Sequence, residues 1–206
     1  TLRDLIVSAV PLAFLAVGLL VLAYWWLNPN PPKTVTLATG PAQSAYEEFG
    51  KRYQKALAAD GIDVVLLPSE GSSHNLQLLR DGTADVAFVQ GGTAQLLPDD
   101  ADQLVSLGSL FVEPVWLFYR TAAAERSHKV PRLDSLRQLQ GWRVNVGSEG
   151  SGVPTLMEKL LEANKMEPGA VKLTRLEQTP ATMEFLAGRL DALVFVSAPE
   201  SLMVQM

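Results

Sequence analysis

Cysteine is absent from the 206-residue chain and histidine occurs only twice, at His74 and His128. The first absence excludes a disulfide framework, a thiolate metal site and a cysteine nucleophile. The second removes paired-histidine metal spacing, since His74 and His128 lie in different segments. Basic runs are missing as well: 17 Lys and Arg against 22 Asp and Glu give a net charge of −5, and no cluster offers the electrostatic footprint of a nucleic-acid binder. No Gly-x-x-x-x-Gly-Lys-Ser/Thr loop is present, which argues against nucleotide hydrolysis. Asp99, Asp100 and Asp102 lack the glycine and spacing of a calcium loop and read as a solvated surface turn. A hydrolase built on Ser44, Ser148 or Ser151 would need a base within hydrogen-bond reach. Only the two histidines could serve, and no Gly-x-Ser-x-Gly elbow exists, Gly150-Ser151-Gly152 coming nearest. The chain is therefore expected to be no enzyme and to hold neither metal nor cofactor.

What is present begins with an uncharged apolar stretch from Leu5 to Leu27. As a helix rising about 1.5 Å per residue it would reach about 35 Å, enough to cross a hydrocarbon core of about 30 Å. A cleavable signal would have a shorter apolar core and a small-residue cleavage site. Here Tyr24, Trp25 and Trp26 close the stretch with rings suited to the headgroup region, and Pro29, Pro31 and Pro32 stop the helix. Pro11 is tolerated within a membrane helix. Residues 1–28 are read as a retained anchor in the lipid bilayer and residues 29–33 as a Pro-rich linker. Arg3 and Lys33 nearly cancel as orientation signals. The long polar part follows a very short N-terminus, so it is placed outside the cytoplasm, on a single-pass protein of the cytoplasmic (inner) membrane.

Beyond the linker, strand and helix signals alternate. Val35 to Thr39 is β-rich and runs into Gly40; Ser44 and Glu47 stand at capping-box spacing, and Tyr46, Phe49, Tyr53 and Leu57 recur with helical period. Ile62–Leu67 reads as a strand, Ser72–Asp81 as a helix and Val86–Val89 as a strand ending in Gln90-Gly91-Gly92. The second half repeats this order: strand Arg143–Val146, turn Gly147–Gly152, helix Val153–Asn164, strand Val171–Leu176, helix Thr179–Gly188 and strand Ala192–Val196. Gly82-Thr83-Ala84-Asp85 and Gly188-Arg189-Leu190-Asp191 head the third strand of each half. Such alternation implies parallel sheets with helices on both faces, and two such units imply two lobes. The apolar runs Leu104–Val112 and Val115–Tyr119, split by Pro114, are read as strands crossing between them. Lobe 1 is assigned to 34–113, and the crossing segment with lobe 2 to 114–206. Ligands of such sheets sit at the carboxyl ends of strands, so the site is expected between the lobes.

Ala38–Tyr46, Ser69–Leu76, Gly82–Gly92, Leu107–Arg120 and Gly147–Gly152, taken in order, resemble the TAXI family of solute-binding proteins of TRAP transporters over about residues 34–200. The resemblance implies a type II periplasmic-binding-protein fold that closes on a small organic acid or amino acid and delivers it to sodium-coupled TRAP permease membrane subunits. The family fold continues beyond the point corresponding to Met206, so the chain reads as a fragment, incomplete in lobe 2. A ligand-sensing ectodomain of a membrane-tethered signalling protein is the alternative.

The candidate ligand-binding residues follow from the turns. Gly40, Gln43 and Ser44 open a helix whose free N–H groups and positive end suit a carboxylate; Tyr46 stands in its first turn, where core packing is an equal alternative. Ser72, Ser73 and Asn75 offer hydroxyls and an amide at a second helix start, although capping alone would account for the serines. Gln90, Gly91 and Gly92 end a strand with residues that admit close approach, as Ser148, Gly150, Ser151 and Gly152 do in the other half. None of these turns contains Lys or Arg. A small acid or amino acid is therefore expected in preference to a multiply charged phosphate.

Overall fold

The computed structural model describes residues 2–27, 33–92, 97–199 and 201–205. Most of the Pro-rich linker lies outside these. The chain divides into two units, residues 1–33 and 34–206. The first is helix α1 (Leu2–Leu27), which contains Pro11. Its window Val10–Leu27, with mean hydropathy 2.1, is long and apolar enough to cross a membrane.

The second unit has an α/β fold built on two sheets. In the first, β1 (Thr34–Ala38) lies between β2 (Asp63–Leu67) and β3 (Val86–Ala87), all parallel, with Thr34 opposite Asp63 and Leu37 opposite Val86. The connections carry α2 (Ala45–Ala58) and α3 (Ser72–Arg80). α2 starts at Ser44, whose hydroxyl accepts the Glu47 N–H at 3.3 Å. The reciprocal half of the anticipated capping box is displaced by one residue, because the Glu47 carboxylate accepts from Gln43 N at 2.6 Å. Gln43 sits at φ 65°, which turns its N–H toward the helix. Leu37, Tyr46, Val64 and Phe88 form the core here, with Phe49 and Phe111 packed against them; the last two rings stack at 4.2 Å.

After a short α4 (Asp100–Gln103), the chain enters the second sheet at β4 (Val115–Tyr119). Helix α5 (Thr121–His128) and a 3-10 turn (Leu136–Leu139) lead to β5 (Arg143–Asn145). Then follow α6 (Val153–Ala163), β6 (Lys172–Thr174), α7 (Gln178–Leu186), β7 (Ala192–Val196) and α8 (Leu202–Gln205). The sheet order is β4-β7-β5-β6, and β4 runs antiparallel to β7 with Val115 opposite Val196. The pairings β5–β6 and β5–β7 are parallel, so the sheet is parallel-rich, with one antiparallel strand at its edge. The core gathers Leu139, Trp142, Val144, Val146, Met157 and Val194 around Ala124 and Ala192. In α6 Met157 is fully buried, and Leu160 and Leu161 pack against the same core partly buried.

Two further expectations are corrected. Leu104–Val112 forms no strand: Val105, Leu107 and Val112 are 83%, 82% and 78% exposed, and Gly108 interrupts the run at φ 150°. An apolar run becomes a strand only beside a partner, and no β-pairing involves this one. Asp100 is not a solvated turn residue. It is buried, takes a two-pronged bond from Arg80 (Nε to Oδ1 2.9 Å, Nη2 to Oδ2 2.7 Å) and accepts the Leu97 N–H. These bonds hold its carboxyl down at about 2. Asp99 and Asp102 stay exposed.

The paired Gly-x-x-Asp headings do the same work in both halves. Asp85 N–H bonds Thr36 O at 3.0 Å while its carboxylate accepts Thr36 N at 2.8 Å; Asp191 does so with Arg143 O and N, both at 2.9 Å. Asp85 thus ties the entry of β3 to β1, and Asp191 ties the entry of β7 to β5.

Candidate functional site

The carboxyl ends of the strands in both sheets face a cavity of about 430 Å³. The starts of four helices reach it, through Ser44 and Ala45 (α2), Gly71 and Ser72 (α3), Gly152 and Val153 (α6), and Glu177 and Gln178 (α7). The backbone N–H groups at a helix start have no partner within the helix and carry the positive end of its dipole. Four such ends around one space form an environment suited to negative charge.

The two halves touch along one side of this cavity. His74 N–H bonds Gly150 O at 3.1 Å, Gly150 N–H bonds the Glu70 carboxylate at 3.1 Å, and Ser73 Oγ reaches Ser151 O at 3.4 Å. Gly71, at φ 127°, makes the approach possible, since a Cβ there would stand 3.1 Å from Ser151 Cα. Lys159 Nζ adds a bond to Gly92 O at 2.8 Å.

Tyr46 is the centre of the polar arrangement. Its hydroxyl lies 3.3 Å from Ser72 Oγ and donates to Glu113 Oε2 at 2.8 Å. Ser72 Oγ also accepts Gln90 N–H at 2.9 Å, so this serine joins strand, helix and tyrosine instead of capping α3. Burial and the adjacent Glu113 charge push the Tyr46 phenol well above its usual range and keep it a donor. Burial also raises Glu113, against hydrogen bonds from Tyr46 and the Gln90 side chain that lower it.

Of the residues singled out in the sequence, Gln43, Ser44, Tyr46, Ser72, Gln90, Ser148, Ser151 and Gly152 line the cavity. Gly40, Ser73, Asn75, Gly91, Gly92 and Gly150 do not. Gly40 shapes the turn behind it, where a Cβ would meet Ser44 Oγ at 2.9 Å. Ser73 and Gly150 make the contacts between the halves. Asn75 is fully buried, its amide donating to Thr39 O at 2.6 Å and Phe88 O at 2.7 Å, which joins α3 to the ends of two strands. Gly91 and Gly92 are exposed.

Glu70, Glu113, Asn145, Glu177, Thr179, Ser197 and Ser201 also line the cavity and were not anticipated. Glu113 had a visible signal, a lone carboxylate between two apolar runs. Among the described residues the lining contains three glutamates and no Lys, Arg or His. Ser201 is 2% exposed, and its hydroxyl has no partner among the described residues. No group of His, Asp and Glu among the described residues is placed to hold a metal ion.

The fold is that of periplasmic binding proteins. A solved protein from Bordetella bronchiseptica matches with TM-score 0.57 at 19% identity, over 79% of this chain and 51% of its own. An ancestral arginine-binding protein bound to glutamine matches at 0.54 and 15%, over 81% and 71%. The alkanesulfonate-binding protein of Xanthomonas axonopodis pv. citri bound to MOPS matches at 0.51 and 15%, over 82% and 61%. The chain thus spans about half the length of the Bordetella protein. The NMT1-like family profile covers residues 37–206, and the chain belongs to that family.

Proposed function

We propose that this chain is the extracytoplasmic solute-binding subunit of a TRAP-type transporter, of the TAXI type, which captures a small organic acid or amino acid and hands it to a sodium-coupled permease. The observation that carries the reading is the convergence of four helix starts on one cavity between two sheets. Residues 34–113 and 114–206 act as the two lobes, and α1 keeps the protein at the outer face of the inner membrane. Gln43, Ser44, Tyr46, Ser72, Gln90, Ser148, Ser151 and Gly152 contact the ligand. A carboxylate accepts from the N–H groups of the helix starts, with the serine hydroxyls adjusting to it. The backbone contacts through Gly150 and Ser151 form as the halves close over the ligand and exclude water, which strengthens each of these bonds.

The test is a thermal-shift screen of the full chain in detergent against carboxylic acids and amino acids, followed by uptake of each hit in proteoliposomes carrying the candidate permease. The expected result is one narrow class of hits whose uptake requires both this protein and a sodium gradient. Binding without any effect on uptake would reject the transport role and favour ligand sensing through α1. Absence of any binding would reject both.

A further inference from the structure

The three carboxylates of the cavity among the described residues differ in their surroundings. Glu70 is exposed and already accepts the Gly150 N–H across the cleft. Glu177 is exposed at the start of α7. Glu113 is half-buried, fixed by Tyr46 Oη at 2.8 Å and by the Gln90 side chain, and forms no ion pair with any described residue. It belongs to neither sheet, lying just before Pro114 where the chain passes from one to the other, yet its carboxylate is held on α2 through Tyr46.

A carboxylate withdrawn from water and satisfied only by neutral donors is incompletely compensated, and the strongest available partner is a cation. No side chain of the lining among the described residues supplies one. The helix starts favour negative charge on the ligand, while Glu113 opposes a ligand that is only an anion. A molecule carrying both signs answers both. Ser201 extends the polar lining, since its buried hydroxyl has no partner among the described residues and borders the same cavity.

We propose that the ligand is a zwitterion whose ammonium group is received by Glu113 while its carboxylate lies against the helix starts, an arrangement that selects amino acids over the corresponding simple acids. Tyr46 is then a positioning residue: its hydroxyl, held between Ser72 and Glu113, fixes the carboxylate that takes the ammonium. The proposal rests on the reading of the cavity as a solute-binding site.

Calorimetry on the full chain in detergent tests it with matched probes, L-alanine with propanoate, L-leucine with 4-methylpentanoate and L-glutamate with glutarate. The expected result is that the amino acid of the preferred pair binds at least tenfold more tightly than its des-amino partner. In Glu113→Gln, which keeps size and hydrogen bonding but removes the charge, this ratio is expected to fall to near one with the simple acid binding as well as before or better. Equal or tighter binding of the simple acid to the unaltered protein overturns the proposal and leaves solute binding standing. An unchanged ratio in Glu113→Gln overturns the role of that residue. If no acid or amino acid binds the unaltered protein, the solute-binding reading falls and the inference falls with it.

Discussion

The two sheets of the second unit start from the same sequence grammar and stabilise their strand ends by different means. In the first, the carboxyl ends are held from outside the sheet: Asn75 of α3 reaches Thr39 O and Phe88 O. In the second they are held from within, because Asn145 of β5 binds Leu176 through both its N–H (2.8 Å) and its carbonyl (3.1 Å) and accepts from Thr174 Oγ1. Both asparagines are fully buried. The heading aspartates diverge too. Asp85 is exposed, whereas Asp191 is buried and also pairs with Arg126 at 3.0 Å and Arg143 at 3.5 Å. A repeated motif therefore fixes a repeated backbone connection, while burial decides how much that connection is worth.

The largest effect is expected from breaking the buried side of this contrast. Asp191→Ala strips the acceptor from Arg143 N–H and the partner from two arginines, and should destabilise by about 2 to 3 kcal/mol. Urea titration of the full chain in detergent measures this. Asn75→Ala removes the side-chain donor from Phe88 O and one of two donors from Thr39 O, which keeps Ser69 Oγ at 3.2 Å, and should cost about 2 kcal/mol in the same assay. Its cost should approach that of Asn145→Ala if the two devices are equivalent.

For ligand binding, Gly152→Asp introduces a carboxylate at the start of α6 inside the cavity and should weaken capture of a carboxylate-bearing ligand at least about tenfold, or about 1.4 kcal/mol. An unchanged circular dichroism spectrum separates this from unfolding.

A pH titration sharpens the comparison further through the Arg80–Asp100 pair, which joins α3 to α4. Its carboxyl is lowered by folding, so its contribution is present above the ordinary value of 3.8 and is lost as pH falls toward about 2. The difference in stability between the native chain and Asp100→Asn should be constant near neutrality and shrink below pH 4 or so. A difference that persists to the lowest pH would deny the carboxylate its role. The smallest effect is reserved for Asp85→Ala, expected below about 1 kcal/mol because water replaces the exposed carboxylate at Thr36 N–H.

Alternation of β-rich and helical segments made most of the second unit legible, and β7 (Ala192–Val196) is found where the pattern places it. The antiparallel β4 was not legible as such, because an apolar run carries no direction relative to a partner far along the chain. Leu104–Val112 shows the same limit, being apolar without being paired. At the cavity, the helix-start residues could be read from turn chemistry. Glu113 and Ser201 could not be placed, since they arrive from the segment between the sheets and from beyond β7, positions that only the fold brings to the strand ends. Asn75 was recognised as important polar chemistry, yet its amide is consumed by the scaffold.

The position of β7 has a consequence for how the polypeptide matures. It lies between β4 and β5, so Val115–Tyr119 has no neighbour in its sheet until Ala192–Val196 has emerged from the ribosome. Among the described residues, the pairing of the first sheet involves nothing beyond Ala87. Folding during synthesis would therefore be uneven, with an early half set while the Val-Trp-Leu-Phe-Tyr strand waits unprotected, a segment of the kind that chaperones hold and that aggregates when they do not.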